Sequence, residues 1–298
     1  MNSEDLLKNT LEILETSIFT KTIPSKLHSA KHAEKICRLT FELVNKDMEE
    51  YNKAVHYFID LSSEFVILQT ELNKSDRYRY STFKEVEKNI LKNPEVMSRR
   101  YLYGLLFSQA FWINHSKIYS FFLDKFCRSK QSGSVLEVPV GTGIFISEFM
   151  NRNIKWEGTG YDISRYSVEF AKKLSKILSG GQPAIEQKNI FDIESRKYDK
   201  IICGELLEHV EDPASVLKKL RTLLKPDGEV FITAAVFAAS IDHIYLYRNV
   251  NEVRKHISQA GFRIREELAL AVSPGDKPEH GNVPVNYAAI ITHNYHSS

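Results

Sequence analysis

The chain has 298 residues, with 40 Lys+Arg against 38 Asp+Glu for a formal net charge of +2, and it is 43% hydrophobic and 26% charged. This excludes disordered, collagen-like and low-complexity classes and leaves room for one large domain or two unequal ones. The balance holds in both halves, 20 basic to 17 acidic residues over 1–130 and 20 to 21 beyond, so no strong field draws the chain to nucleic acid or an anionic membrane. Neither is expected as a partner. Cys37, Cys127 and Cys203 are scattered and form no C-x-x-C pair, which argues against a disulfide framework and a thiolate zinc site. The N-terminal stretch carries acids where a secretory signal carries bases, and no run reaches the roughly 18 apolar residues of a membrane span. The expected location is the cytoplasm.

Apolar residues recur at helical spacing up to about residue 128, as in Ile36, Leu39, Leu43 and Val44, or Val55, Phe58, Ile59 and Phe65. With Gly104 its only glycine and Pro24 and Pro94 its only prolines, this half predicts long helices near 4–18, 27–46, 49–72, 81–91, 95–109 and 113–128. The polar string Ser129–Ser134 marks a joint, which predicts an all-α domain over 1–130 and a second domain over 131–298.

Beyond the joint, short β-rich runs alternate with helical ones. Strands are predicted at Ser134–Val138, Trp156–Tyr161, Ala184–Gln187, Lys200–Cys203, Glu229–Ala235, Phe262–Leu268 and Tyr287–Thr292. Helices fall at Ile144–Asn151, Ser164–Leu178, Pro213–Leu224 and Val250–Ala260, the third with Asp212 as N-cap and proline at its first position. Strand–helix alternation implies a mostly parallel sheet with its ligand site at the carboxyl ends of the strands. The last two strands are joined without a helix, which predicts an antiparallel hairpin at one edge.

The first strand ends in an acid and enters a glycine turn, Val135-Leu136-Glu137-Val138-Pro139-Val140-Gly141-Thr142-Gly143. Gly141 and Gly143 allow close approach of a ligand to bare backbone. Asp162 follows the second strand and can accept hydrogen bonds from ribose hydroxyls. The third glycine of G-x-G-x-x-G is replaced by Ile146, and Glu137 sits poorly beside a pyrophosphate; a cationic nucleoside bearing an amino acid suits that acid better than a dinucleotide. This disfavours a nicotinamide-dependent oxidoreductase.

LEVPVGTG, YDIS, QKNIFDI, YDKIICGELLEHVEDP and LLKPDGEVFIT, in that order, resemble the motifs of class I S-adenosylmethionine-dependent methyltransferases over about residues 130–295. The resemblance implies a Rossmann-like α/β fold: a seven-stranded, mostly parallel sheet with one antiparallel edge strand. It implies S-adenosylmethionine as cofactor, with Glu137 near the methionine amino group and Pro139, Gly141 and Gly143 beneath it. Asp162 would hold the ribose, Ile163, Asn189 and Ile190 the adenine, and Glu205 and Leu206 would close the site. Pro139 stands where the family often has glycine, and Asn189 where it usually has aspartate.

Methyl transfer needs an aligned nucleophile, and a hydroxyl or protonated amine also needs a base. His209 and His243 are the candidates. His209 reads as a base, as an orienting residue or, with Glu205 and Glu208, as a metal ligand, since E-x-x-E-H is similar to metal-binding segments of ubiquinone-pathway and small-RNA 3′-end methyltransferases. No metal is assigned. His243 with Tyr245 lies in a connection that faces the acceptor in this family. The apolar string from Tyr101 to His115 predicts a helical cap, with Tyr103, Phe107, Phe111, Trp112 and His115 walling an acceptor pocket; a homodimer through this half is the alternative. The expected activity is methylation of a small organic acceptor in secondary metabolism. Methylation of RNA or protein, and cofactor binding without turnover, stand as alternatives.

Overall fold

Buried strands alternating with amphipathic helices build a parallel sheet between two helical layers. The computed structural model describes residues 2–129, 132–179, 182–194 and 196–294, with the side chains at 98 and 99 left aside. The expected domain boundary between residues 130 and 131 lies outside the described residues. The seven strands are β1 (Ser134–Glu137), β2 (Glu157–Asp162), β3 (Ala184–Gln187), β4 (Tyr198–Cys203), β5 (Leu224–Val236), β6 (Phe262–Ala271) and β7 (Val285–His293), in the order β3-β2-β1-β4-β5-β7-β6. Strands β1 to β5 pair in parallel. β7 runs antiparallel between β5 and β6, through pairs such as Val230 with Ile291 and Leu268 with Ala288, so the hairpin lies at the edge with β6 outermost. Connections leave β1 and β4 in opposite directions, and the crevice that this opens at their carboxyl ends is where a ligand is received.

Four helices cover the sheet: α7 (Ile144–Arg152), α8 (Arg165–Leu178), α9 (Pro213–Leu223) and α10 (Val250–Gln259). Preceding them, the first half of the chain forms α1 (Ser3–Glu15), α2 (Ala30–Leu43), α3 (Met48–Ser75), α4 (Phe83–Val86), α5 (Leu102–Phe111) and α6 (Ile113–Phe121). The Asp47 carboxylate accepts the Glu49 and Glu50 N–H groups at 2.8 and 3.1 Å to start α3, and left-handed Asp76 (φ 56°) ends it. Three stretches, Glu87–Leu91, Val96–Tyr101 and Phe122–Phe126, wind as π-helix, so the expected helices near 81–91, 95–109 and 113–128 are present with altered phase.

The helical half shares a core with the sheet. Phe122 and Phe126 pack on Phe231 of β5 with ring centroids 5.0 and 5.7 Å apart. The fully buried Glu148 of α7 accepts a hydrogen bond from Tyr119 and pairs with Lys35 of α2. No helix among the described residues is long and apolar enough to cross a membrane.

Candidate functional site

At the crevice, the turn after β1 is shaped by its backbone. The Val138–Pro139 peptide is cis, and Gly141 and Gly143 have φ of 49° and 74°. A Cβ on Gly143 would stand 2.6 Å from the Ala171 Cβ, so glycine lets α7 and α8 approach; a Cβ on Gly141 would meet nothing within 4 Å. Two carboxylates face the turn. Glu137 accepts the Ile146 N–H at 3.1 Å from the first turn of α7, whose dipole favours its charge. Asp162 accepts the Gly141 N–H at 2.9 Å and the Ser164 N–H at 2.8 Å, tying the loop after β2 to the glycine turn. Burial pushes the Glu137 carboxyl well above the usual range, against the Ile146 hydrogen bond and with help from Asp162. Burial likewise carries Asp162 up to about 6, with the Ser164 and Gly141 N–H groups pulling the other way.

These groups line one end of a cavity of about 870 Å³. Pro139, Gly141, Ile163, Asn189, Ile190, Glu205 and Leu206 line it as well, while Gly143 sits behind the turn. The Asn189 side-chain Oδ1 accepts the Phe191 N–H at 3.0 Å, and this shapes the turn that presents Ile190. Glu205 adopts a left-handed conformation (φ 46°), and its N–H is fixed by Thr233, with the Oγ1 at 3.0 Å. A non-glycine residue held there costs about 1–2 kcal/mol, which the surrounding contacts must offset.

His209 and His243 line the same cavity, with ring centroids 4.8 Å apart. His209 Nδ1 lies 3.1 Å from the Asp242 carbonyl oxygen and 3.5 Å from its carboxylate. That carboxylate accepts hydrogen bonds from the Tyr101 hydroxyl and the Ser240 hydroxyl, both at 2.8 Å. Burial would raise Asp242, but His209, His243 and these two hydroxyls together hold it below the usual carboxylate range. His243 Nδ1 lies 2.8 Å from the Ala238 carbonyl; the ring is buried, and burial, seconded by His209, pushes it down to about 4, so it is neutral at pH 7 and donates there.

Glu208 is fully buried behind the two rings. Its Oε1 accepts the Ala235 N–H at 3.1 Å, whereas Oε2 has no hydrogen-bond partner. Burial and then the neighbouring Glu205 raise its carboxyl well above the usual range. Donor atoms of Glu208, His209 and His243 lie within 4.8 Å of one another.

Phe111, Trp112 and His115 line the cavity. Asn286 places an amide nitrogen 3.3 Å from His115 Nε2, and His115 Nδ1 lies 3.0 Å from the Ser108 hydroxyl. Three expected wall residues stand elsewhere. Phe107 is fully buried between Tyr51, Phe58 and Phe111, and Tyr103 packs on Phe170 of α8 at 5.1 Å, because α5 is apolar all round and turns these faces to the shared core. Tyr245 points away to stack with Tyr247 and His256 at 4.9 and 5.8 Å. The pairing of Asp242 with His209 and its support by Tyr101 and Ser240 were not expected from the sequence; the only local signal was the position of Asp242 beside His243.

A family model described as "Methyltransferase domain" matches residues 111–267. A ubiquinone biosynthesis O-methyltransferase of Neisseria meningitidis serogroup C is 30% identical over 102 residues, a match spanning 33% of this chain and only 42% of that relative's length. A protein of the same name from Pseudomonas paraeruginosa is 26% identical over 175 residues, 52% of this chain and 75% of the relative. Among solved structures, mitomycin 7-O-methyltransferase MmcR superimposes with a TM-score of 0.55 at 11% identity, over 81% of this chain and 71% of its own, a likeness of fold.

Proposed function

The chain belongs to the family of S-adenosylmethionine-dependent methyltransferase domains, and on that premise we propose that it methylates a hydroxyl of a small aromatic acceptor. The cofactor suits the β1–β2 end of the cavity. Open space over Gly141 offers bare backbone, and two buried carboxylates with raised protonation tendency gain from a cation or hydroxyl donors. Glu137 would take the amino group and Asp162 the ribose, with Ile163, Ile190 and Asn189 beside the base and Glu205 and Leu206 closing the site. The bound cofactor supplies an electrophilic methyl group. The protein's part is to align the acceptor oxygen, exclude water and receive its proton.

His209 is the proposed base, and the observation that carries this reading is its Nδ1 contact with Asp242 at the cavity. That contact leaves Nε2 as the acceptor nitrogen and stabilises the imidazolium once the proton arrives. Phe111, Trp112 and His115 wall the acceptor side, and the helical half acts as its cap. The even charge and the aromatic lining by Phe111 and Trp112 favour a small molecule over RNA or protein. The acceptor is read from the helical half itself, and a place in secondary metabolism is part of this proposal. With catechol as probe and labelled S-adenosylmethionine as donor, His209→Ala should lower turnover about 100-fold or more while cofactor binding by calorimetry is kept. A turnover equal to that of the unaltered protein refutes the base.

A second reading follows from the unpartnered Glu208 Oε2 beside His209 and His243. A divalent cation held by these three, with Glu205 adjacent, would act as a Lewis acid on the acceptor oxygen. Dialysis against a chelator, followed by assay with and without added Mg²⁺ or Zn²⁺, separates the two: turnover indifferent to both treatments removes the metal.

A further inference from the structure

The loop that leaves β5 carries Asp242 and His243 and is held by side chains of the helical half as well as by backbone bonds to Tyr247 and Glu208. β5 ends at Val236, and Phe237 then takes a left-handed conformation (φ 46°). The Gln69 amide of α3 spans this turn: its Nε2 donates to the Phe237 carbonyl at 3.0 Å and its Oε1 accepts the Ala239 N–H at 2.9 Å. One side chain thus satisfies a donor and an acceptor that the sheet has ceased to pair. Between those two positions, the Ala238 carbonyl accepts the Tyr78 hydroxyl at 3.0 Å as well as His243 Nδ1 at 2.8 Å. Tyr101, in the π-turn before α5, donates to the Asp242 carboxylate at 2.8 Å.

Each of these bonds bears on an imidazole. Fixing the Ala238 carbonyl commits His243 Nδ1–H to it and leaves Nε2 as the free acceptor. Holding Asp242 with Tyr101 and Ser240 aims its carboxylate at His209 Nδ1. Misplacing such a group by about 1 Å can cost 100-fold in rate.

We propose that Gln69, Tyr78 and Tyr101 are positioning residues for the two histidines, so that the helical half sets the catalytic geometry as well as walling the acceptor. The catalytic part of this inference rests on the base reading of His209. The geometric part does not.

The test uses the full chain with bound S-adenosylhomocysteine for spectra and with catechol as acceptor probe for rates. Tyr101→Phe removes one hydroxyl and keeps the ring; Gln69→Leu removes the amide and keeps the bulk. Each should lower kcat about tenfold with acceptor KM changed by less than about twofold, because the interaction lost acts on the transition state. In an Asp242→Asn background, Tyr101→Phe should cost less than about twofold more, since its effect passes through that carboxylate. Ring ¹⁵N resonances should move for His209 in Tyr101→Phe and for His243 in Gln69→Leu. Unaltered ring resonances in both variants overturn the positioning role, even where His209→Ala keeps its full rate. A full tenfold loss recurring on Asp242→Asn overturns it also. Full turnover in His209→Ala together with shifted rings retires the base and leaves the positioning role standing.

Discussion

At the ends of β1 and β2, the carboxylates that face the cavity are held by backbone N–H groups 2, 9 and 21 residues away along the chain. Across the cavity, Asp242 and the loop that carries it are held by side chains 141 to 170 residues away. The first region is a property of two strand-to-helix turns and needs little beyond them. The second is completed only when the helical half has docked, since Ser240 and the backbone of Glu208 and Tyr247 hold the rest of the loop. The same cavity therefore joins a locally encoded site for a shared cofactor to a globally assembled site for whatever accepts the methyl group.

The sharpest way to break this contrast is on the cofactor side. Asp162→Ala removes the carboxylate assigned to the ribose hydroxyls, and at roughly 1.5–3 kcal/mol for each hydrogen bond to a charged group, binding of S-adenosylmethionine should weaken about 100-fold. Calorimetric titration reads this directly; an unchanged affinity removes Asp162 from the site. The same residue predicts a pH dependence. Burial raises its carboxyl from 3.8 to about 6, so in the ligand-free protein its contribution to stability is full below the unfolded value and is lost as pH rises through about 6. Ribose hydroxyls need the ionised acceptor, so cofactor affinity runs the opposite way. The rise in melting temperature on adding S-adenosylhomocysteine should therefore grow between about pH 5 and pH 7, and grow less in Asp162→Asn, where Glu137, also raised by burial, is the facing carboxyl that still titrates.

An effect of comparable size, on stability rather than affinity, is expected at the turn that supports this region. In Gly143→Ala the new methyl would stand 2.6 Å from the Ala171 Cβ on a backbone with φ 74°, costing about 2–4 kcal/mol in thermal or urea unfolding. A loss under about 0.5 kcal/mol would mean that α7 and α8 yield easily. The smallest effect belongs on the acceptor side, at Tyr245→Phe. Because this ring stacks on Tyr247 and His256 away from the cavity, turnover should stay within about twofold. A tenfold loss would return Tyr245 to the acceptor.

The same contrast explains what the sequence reveals. Glu137, Gly141, Gly143 and Asp162 are legible because strand, glycine turn and following acid are consecutive, and their chemistry depends on neighbours. The mostly parallel sheet and the edge hairpin follow from the alternation of β and α runs and from the missing helix before β7. Gln69, Tyr78 and Tyr101 carry no such mark. Each looks like an ordinary polar or aromatic residue of a helical half, and its partner is more than 140 residues away. Tyr103 and Phe107 are misplaced for a related reason. A helix that is apolar on nearly every side gives no clear face to read, and the π-turn at Val96–Tyr101 that enters it shifts its phase relative to a regular repeat.

The aromatic seam between the two halves bears on the order in which the protein is made. Phe122 and Phe126 leave the ribosome about a hundred residues before Phe231, the β5 ring on which both pack. At 5–20 residues per second that interval is roughly 5–20 s. For that time the two rings lack their β5 partner, and Phe145 and Phe149 of α7, made soon after them, are the rings they can pack on first.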